Sequence, residues 1–128
     1  MPLPRRFPFL GALAFAGALG ACSAPNPPGA DFVVDVVGEQ FVVRATNPDT
    51  IAQFRDVLAG KRTGFPAGPL RTGDGGFNRP WTWHLDEEEV VLAQFTVGIC
   101  DGRPSQVEMH FDNFPTYCPW SARIVSER

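Results

Sequence analysis

The sequence predicts a single small α+β domain with a mainly antiparallel sheet, two helices and one disulfide. Three observations support this fold class. Valine-rich or alternating segments typical of strands recur along the chain, two segments begin with signals for a helix start, and the order of these elements suits neither an all-α nor a strictly alternating α/β fold.

Residues 1–21 have the pattern of a lipoprotein signal peptide. Arg5 and Arg6 precede an uncharged apolar run that is too short, and too rich in Ala and Gly, for a permanent membrane span. The run ends on LGAC at positions 19–22, which resembles a bacterial lipobox. We therefore expect cleavage before Cys22 and acylation of its sulfur, with an ordinary secretory signal as the alternative.

This N-terminus predicts the location of the protein. Buried acyl chains contribute about 0.8 kcal/mol per CH₂, so a multiply acylated Cys22 would anchor the protein on the outer face of a bacterial membrane. Residues 22–30, rich in Pro, Gly and Ser, are expected to form a flexible tether, and residues 31–128 the domain. Without Arg5 and Arg6, the eleven basic residues fall to nine against fourteen acidic ones. This balance leaves no basic patch for a phosphate backbone, so nucleic acid is not an expected partner.

The cysteine count predicts the disulfide. Once Cys22 is assigned to lipid, Cys100 and Cys118 remain as an even pair in an oxidising compartment. Closing a loop of roughly 18 residues would stabilise the fold by about 3 kcal/mol. A reactive thiol needs an electropositive setting, which Asp101 next to Cys100 opposes. A metal pair is also open, but no CxxC spacing supports it.

The first half of the domain contains two predicted strands and a helix. Valine-rich runs in residues 31–46 flank a Gly-Glu-Gln sequence and predict two adjoining strands, or one strand with a bulge. Asn47 as N-cap and Pro48 at the first helical position predict a helix that ends at Gly60. Its expected buried face carries three apolar residues at helical spacing, Ile51, Phe54 and Leu58.

The second half opens with a segment rich in Gly and Pro. Residues 61–80 are expected to form a long surface connection, with part of a strand held by Phe65 and Leu70. Alternation then predicts two strands, before and after the acidic residues 87–89, joined as an antiparallel hairpin that extends to Ile99. On the first of these strands Trp81, Trp83 and Leu85 would face one side, and Thr82, His84 and Asp86 the other. A second, shorter helix is expected from GRP at 102–104, followed by a terminal strand in SARIVSER.

Several of these segments together resemble a known family. FVVRATNPDTIAQFRDVLAG, NRPWTWHLD, VGICDGRPSQVE and CPWSARIV are similar to the N-terminal-type domain of a slime-mould calmodulin-binding protein, which also occurs in small exported bacterial proteins. The chain departs from the family pattern at Pro80 and Glu87. The resemblance implies no catalytic activity, and the calmodulin label does not transfer because no basic amphipathic helix is present. It implies that the following are family-pattern positions: Trp81, Trp83, His84, Leu85, Asp86, Cys100, Asp101, Cys118, Pro119, Trp120 and Arg123.

The leading functional hypothesis is a non-catalytic module that binds an extracellular protein or a small ligand. Aromatic surfaces with a few fixed polar groups suit recognition. The candidate polar residues are Thr82, His84, Asp86, Asp101 and Arg123, beside an aromatic cluster of Trp81, Trp83 and Trp120. For His84 the competing interpretation is structural, with the ring hydrogen-bonded to a backbone carbonyl.

Three further hypotheses remain open from the sequence. A hydrolase could use His84 as general base, oriented by Asp86 or Asp101, although no nucleophile motif accompanies it. A metal site could combine His84, Asp86 and His110, without the spacing usual for ligands. A small protease inhibitor could insert the Gly/Pro loop 61–80 into a cleft, a hypothesis that rests on analogy. No cofactor is predicted.

Overall fold

The computed structural model describes residues 29–96 and 98–128. The predicted signal peptide, the lipidation site at Cys22 and the tether as far as residue 28 lie outside the described residues. Within the described ranges no helix is long and apolar enough to cross a bilayer. The elements follow in this order: β1 (Ala30–Val36), β2 (Glu39–Ala45), α1 (Pro48–Leu58), β3 (Phe65–Thr72), β4 (Trp83–Leu85), β5 (Val91–Ala93), α2 (Pro104–Met109), a 3₁₀ turn (Phe111–Asn113), β6 (Thr116–Tyr117) and β7 (Ala122–Glu127).

The first sheet is antiparallel with the order β2-β1-β7. β1 and β2 form a hairpin in which Val36 pairs with Glu39 across a two-residue turn. Val37 and Gly38 both have positive φ, as a turn that matches the twist of a hairpin requires. The alternating burial of β1 places its apolar side chains in the core. The predicted pair of adjoining strands is therefore confirmed, and so is the terminal strand.

Helix α1 begins and ends where its capping residues predict. Asn47 Oδ1 accepts hydrogen bonds from the backbone N–H groups of Asp49 (2.8 Å) and Thr50 (3.4 Å), and Pro48 occupies the first turn. Phe54 is fully buried and meets the Phe32 ring edge-to-face at 5.1 Å between centroids. One assignment was wrong: Leu58 is 37% exposed, because it belongs to the last turn, where the helix leaves the core.

The second sheet is built on β3, which pairs antiparallel with β4, β5 and β6. The expectation of a long surface connection over residues 61–80 was therefore wrong for its middle part. Pro66 and Pro69 are unusual in such a strand because they lack an N–H group. Three short strands pair with successive parts of β3, so a continuous ladder is not required of either proline. The Pro69 carbonyl still accepts a hydrogen bond from Asp86 N at 2.9 Å.

The predicted hairpin between the tryptophan strand and the next strand was also wrong. β4 and β5 pair with opposite ends of β3, Leu85 with Leu70 and Ala93 with Phe65. The acidic residues between them form a turn that closes with a hydrogen bond from Val90 N to Asp86 O at 3.0 Å. β5 stops at Ala93 because β3 begins at Phe65 and offers no further partner. The strand expected to reach Ile99 therefore has only three residues.

The C-terminal part is tied to the body by α2 and the disulfide. α2 begins at Pro104 as predicted, and Val107 carries its buried face. The predicted disulfide joins Cys100 to Cys118, with Cα atoms 5.1 Å apart. The fold is thus a small α+β domain with antiparallel sheets, two α-helices and one disulfide, as expected. The core lies between the two sheets and includes Phe32, Phe41, Phe54, Trp83, Leu85 and Tyr117.

Candidate functional site

His84 lies in a closed pocket rather than on an open surface. It is on β4 and only 8% exposed, with the Phe77 ring edge-to-face at 5.4 Å. Its Nδ1 is 2.7 Å from the carbonyl oxygen of Gly73. Its Nε2 is 3.3 Å from Glu87 Oε1, three residues along the chain. Both ring nitrogens therefore have protein partners.

This geometry does not suit a general base. A catalytic imidazole needs one nitrogen within hydrogen-bond reach of the substrate proton. The carboxylate beside His84 is Glu87, not Asp86 or Asp101, which the sequence suggested as orienting groups. The backbone contact to Gly73 instead fixes the loop before β4, where Gly73 N also donates to Thr82 O at 2.7 Å. The structural interpretation of His84 is the one that these contacts favour.

Asp86 closes the acidic turn. Its Oδ1 accepts from the N–H groups of Glu88 (2.9 Å) and Glu89 (3.0 Å), and its Oδ2 accepts from Arg71 Nε at 2.9 Å. Partial burial would raise the pKa of this carboxyl, but the hydrogen bonds from Glu88, Glu89 and Arg71 outweigh it and lower the pKa below its ordinary value. Asp86 is thus an ionised acceptor with its oxygens engaged.

The other predicted polar residues are spread over the molecule. Thr82 donates from its backbone N to Glu108 Oε1 at 2.9 Å and from its hydroxyl to Glu108 Oε2, and this joins the start of β4 to α2. Asp101 Oδ1 accepts from Trp120 N at 2.9 Å, next to the disulfide. Arg123 lies on β7 in register with Asp35 of β1, in the other sheet. The structure does not bring these residues and His84 into one patch.

The three tryptophans also separate into two environments. Trp81 and Trp83 lie 6.1 Å apart, and Trp83 packs at 5.5 Å against Tyr117 and is fully buried. Tyr117 donates its hydroxyl to Gly102 O at 2.6 Å, and burial raises the pKa of this phenol. Trp83 and Tyr117 are therefore core residues. Trp120 is different, because it is 54% exposed and contacts the loop after β5.

Trp120 marks an open groove of about 590 Å³ beside the disulfide. Its volume falls within the roughly 300–1,000 Å³ range of small-molecule sites. The groove, called here the Trp120 groove, lies between the residues before β3, the loop after β5 and the start of β7. It has aromatic, polar and small lining residues: Phe65, Phe95 and Trp120, then Thr63, Gln94 and Thr96, then Gly64 and Ala122.

The groove is held by several fixed contacts. Trp120 donates its indole Nε1–H to Thr96 Oγ1 at 2.6 Å, while Asp101 holds its backbone N–H. Thr96 Oγ1 in turn lies 3.5 Å from Cys118 Sγ, so the loop, the disulfide and the indole contact one another. The Trp120 ring is exposed but oriented by these contacts.

Phe95 is the residue of this site that the sequence did not indicate. Alternation assigned it to a strand face, whereas it is 81% exposed on the loop after β5. Ile99, on the same loop, is 98% exposed. The usable signal was the segment FTVGIC itself, which is apolar, contains a glycine and comes directly before the disulfide. Exposed large apolar side chains that cluster in this way mark interaction sites more often than isolated ones do.

A metal centre finds no support in the described parts of the chain. Among residues 29–96 and 98–128, no group of three or more His, Cys, Asp or Glu side chains could hold an ion. His84 is held by Gly73 and Glu87, and Asp86 by Arg71 and the turn. The proposed set of His84, Asp86 and His110 is thus not assembled.

These features define a small disulfide-bonded α+β domain with a closed histidine pocket and an open aromatic groove. The chain belongs to the BP-seventy-four N-terminal domain family, which it matches over residues 29–128. The match includes every described residue and confirms the family likeness of the tryptophan and cysteine segments. No curated protein and no solved structure matches the chain.

Proposed function

We propose that this protein is a non-catalytic binding module, anchored on the outer face of a bacterial membrane by an acylated Cys22. The observation that supports binding is the Trp120 groove, where Trp120 and Phe95 are exposed beside polar groups. Binding sites commonly combine aromatic walls with a few placed polar groups in this way. The closed contacts of His84 point away from the hydrolase alternative.

The anchor is supported by the lipobox-like sequence at positions 19–22. Its test is membrane fractionation of cells that express the full chain, together with metabolic labelling by a fatty acid. Wild-type protein should enter the membrane fraction and carry label, and Cys22→Ser should lose both. Label that persists in Cys22→Ser, or wild-type protein recovered without an acyl group, would refute the anchor.

Binding is tested separately with the mature chain carrying Cys22→Ser, so that lipid does not contribute. Fluorescently labelled protein is added to isolated cell envelopes, and the retained fraction is measured. Trp120→Ala should reduce retention, because it removes one wall of the groove. His84→Gln should leave retention unchanged, because the amide keeps a hydrogen-bond donor inside a pocket that no ligand enters. Loss of retention in His84→Gln but not in Trp120→Ala would place the site elsewhere.

The protease-inhibitor alternative loses its structural basis. It required an extended mobile loop over residues 61–80, and eight of those residues form β3. Phe65 and Leu70 within this strand are buried. A segment that forms the centre of a sheet is not free to enter a protease cleft.

A further inference from the structure

We propose that the Trp120 groove binds a neutral saccharide, with one sugar ring stacked on the indole face of Trp120. This inference rests on the proposed binding function and names its ligand class. It depends on three features of the groove: the absence of charge among its lining residues, the fixed indole, and the unequal use of its polar groups.

The groove is uncharged in an acidic protein. The eight described residues that line it are aromatic, small, or neutral and polar, and none carries a formal charge. The whole chain has eleven basic and fourteen acidic residues, so charge is common elsewhere on the molecule. An ionic ligand would find no counter-charge in the lining and would lose hydration on entry. The lining is therefore matched to a neutral ligand.

The indole offers its face but not its N–H. Trp120 Nε1 already donates to Thr96 Oγ1 at 2.6 Å, and the backbone N donates to Asp101 at 2.9 Å. Grooves that recognise proline-rich peptides are lined with aromatic side chains, and a tryptophan N–H there would have to be free to serve a peptide carbonyl. Here only the ring face remains for a ligand. A flat apolar ring face suits the C–H groups on one side of a pyranose.

The remaining polar groups suit sugar hydroxyls. Gln94 Nε2 makes only a long contact of 3.4 Å to Thr63 O, so most of the hydrogen-bonding capacity of this amide is available. Thr63 adds a hydroxyl, and Phe95 adds a second aromatic surface that is 81% exposed. An amide, a hydroxyl and two aromatic rings together can bind the polar edge and the apolar face of one sugar unit.

The test uses the mature chain with Cys22→Ser and a panel of neutral β-linked hexose and N-acetylhexosamine trisaccharides. Binding is followed by tryptophan fluorescence and by calorimetry. Because Trp83 is fully buried and Trp120 is half-exposed, a change in emission on binding would report chiefly on Trp120. We expect at least one neutral trisaccharide to bind, and Trp120→Ala to weaken it about tenfold, the loss that removing one stacked ring can produce.

The controls separate this inference from the proposed function. Phe95→Ala should weaken binding as Trp120→Ala does, whereas Met109→Ala removes an exposed apolar side chain from α2 and should not. A charged trisaccharide that binds more tightly than its neutral counterpart would overturn the ligand class. Extended peptides that bind in a Trp120-dependent way, with no saccharide bound, would overturn it too but leave a binding groove. Saccharide binding unaffected by Trp120→Ala would refute both the stacking and the groove, and failure of every trisaccharide to bind would also overturn the inference.

Discussion

Reducing the Cys100–Cys118 disulfide should destabilise the domain without changing any side chain except the two sulfurs. The bond closes a segment with a sequence separation of 18 residues. Loop-closure entropy for a loop of that size corresponds to about 3 kcal/mol in the free energy of unfolding. This raises the unfolded fraction by roughly two orders of magnitude, since about 1.4 kcal/mol is a factor of ten.

The assay is urea unfolding of the oxidised and the dithiothreitol-reduced mature protein, followed by tryptophan fluorescence. With a slope of about 1–3 kcal/mol per molar urea, the midpoint should fall by ~1–3 M on reduction. Intact mass confirms that both thiols are present after reduction. The Cys100→Ser/Cys118→Ser variant should resemble the reduced protein and should not respond to dithiothreitol. Equal midpoints for the oxidised and the reduced protein would refute the loop-closure argument, and free thiols in the untreated folded protein would refute the disulfide.

Three other substitutions test individual contacts. Asn47→Ala should cost about 1 kcal/mol in the free energy of unfolding by removing the cap of α1, whereas Gln53→Ala within the same helix should cost little; chemical denaturation measures both. Asp86→Asn should reduce the loss of stability in acid, because a folded-state pKa below the unfolded value gives stability that is present above the unfolded pKa and lost as pH falls through the folded one. The measurement is unfolding at neutral and acid pH, and an unchanged difference would contradict it. His84→Ala should cost about 1–3 kcal/mol because it leaves the buried Gly73 carbonyl without a donor, and equal stability of His84→Ala and His84→Gln would argue against that contact.

Local chemistry in the sequence was enough to place several elements. The α1 helix needed only Asn47 and Pro48 to define its start, because capping depends on residues adjacent in the chain. The β1–β2 hairpin followed from two valine-rich runs on either side of a glycine. The disulfide followed from counting three cysteines and assigning one of them to lipid. In each case the determining contacts lie within a few residues, or only one pairing is possible.

The parts that failed depend on contacts between distant segments. β3 contains Pro66 and Pro69 and has the composition of a loop, but it lies where three short strands can pair with it. No local pattern indicates this. The predicted hairpin failed for the same reason, since alternation shows that a segment is extended but not which strand is its partner.

The candidate site shows the same division. The sequence singled out Trp120 and Asp101, and the structure joins them by a hydrogen bond of 2.9 Å. It also singled out His84, but its carboxylate neighbour is Glu87, which alternation assigned to a solvated corner. Phe95 could not be recognised as exposed while its segment was assigned to a long strand. Residue types therefore suggested candidates, and the pairing of β5 with β3 decided which were accessible.

The disulfide connects stability to the proposed binding surface. Cys118 lies two residues before Trp120, and Cys100 is bonded to it from the end of the loop that carries Phe95 and Thr96. The same bond that limits the unfolded chain therefore fixes both walls of the groove relative to each other. A half-exposed tryptophan gains little from burial, yet Trp120 is held by Thr96 and Asp101. Fixing an exposed ring in advance lowers the entropy that a ligand must offset on binding, so a rigid Trp120 is more consistent with recognition than with packing.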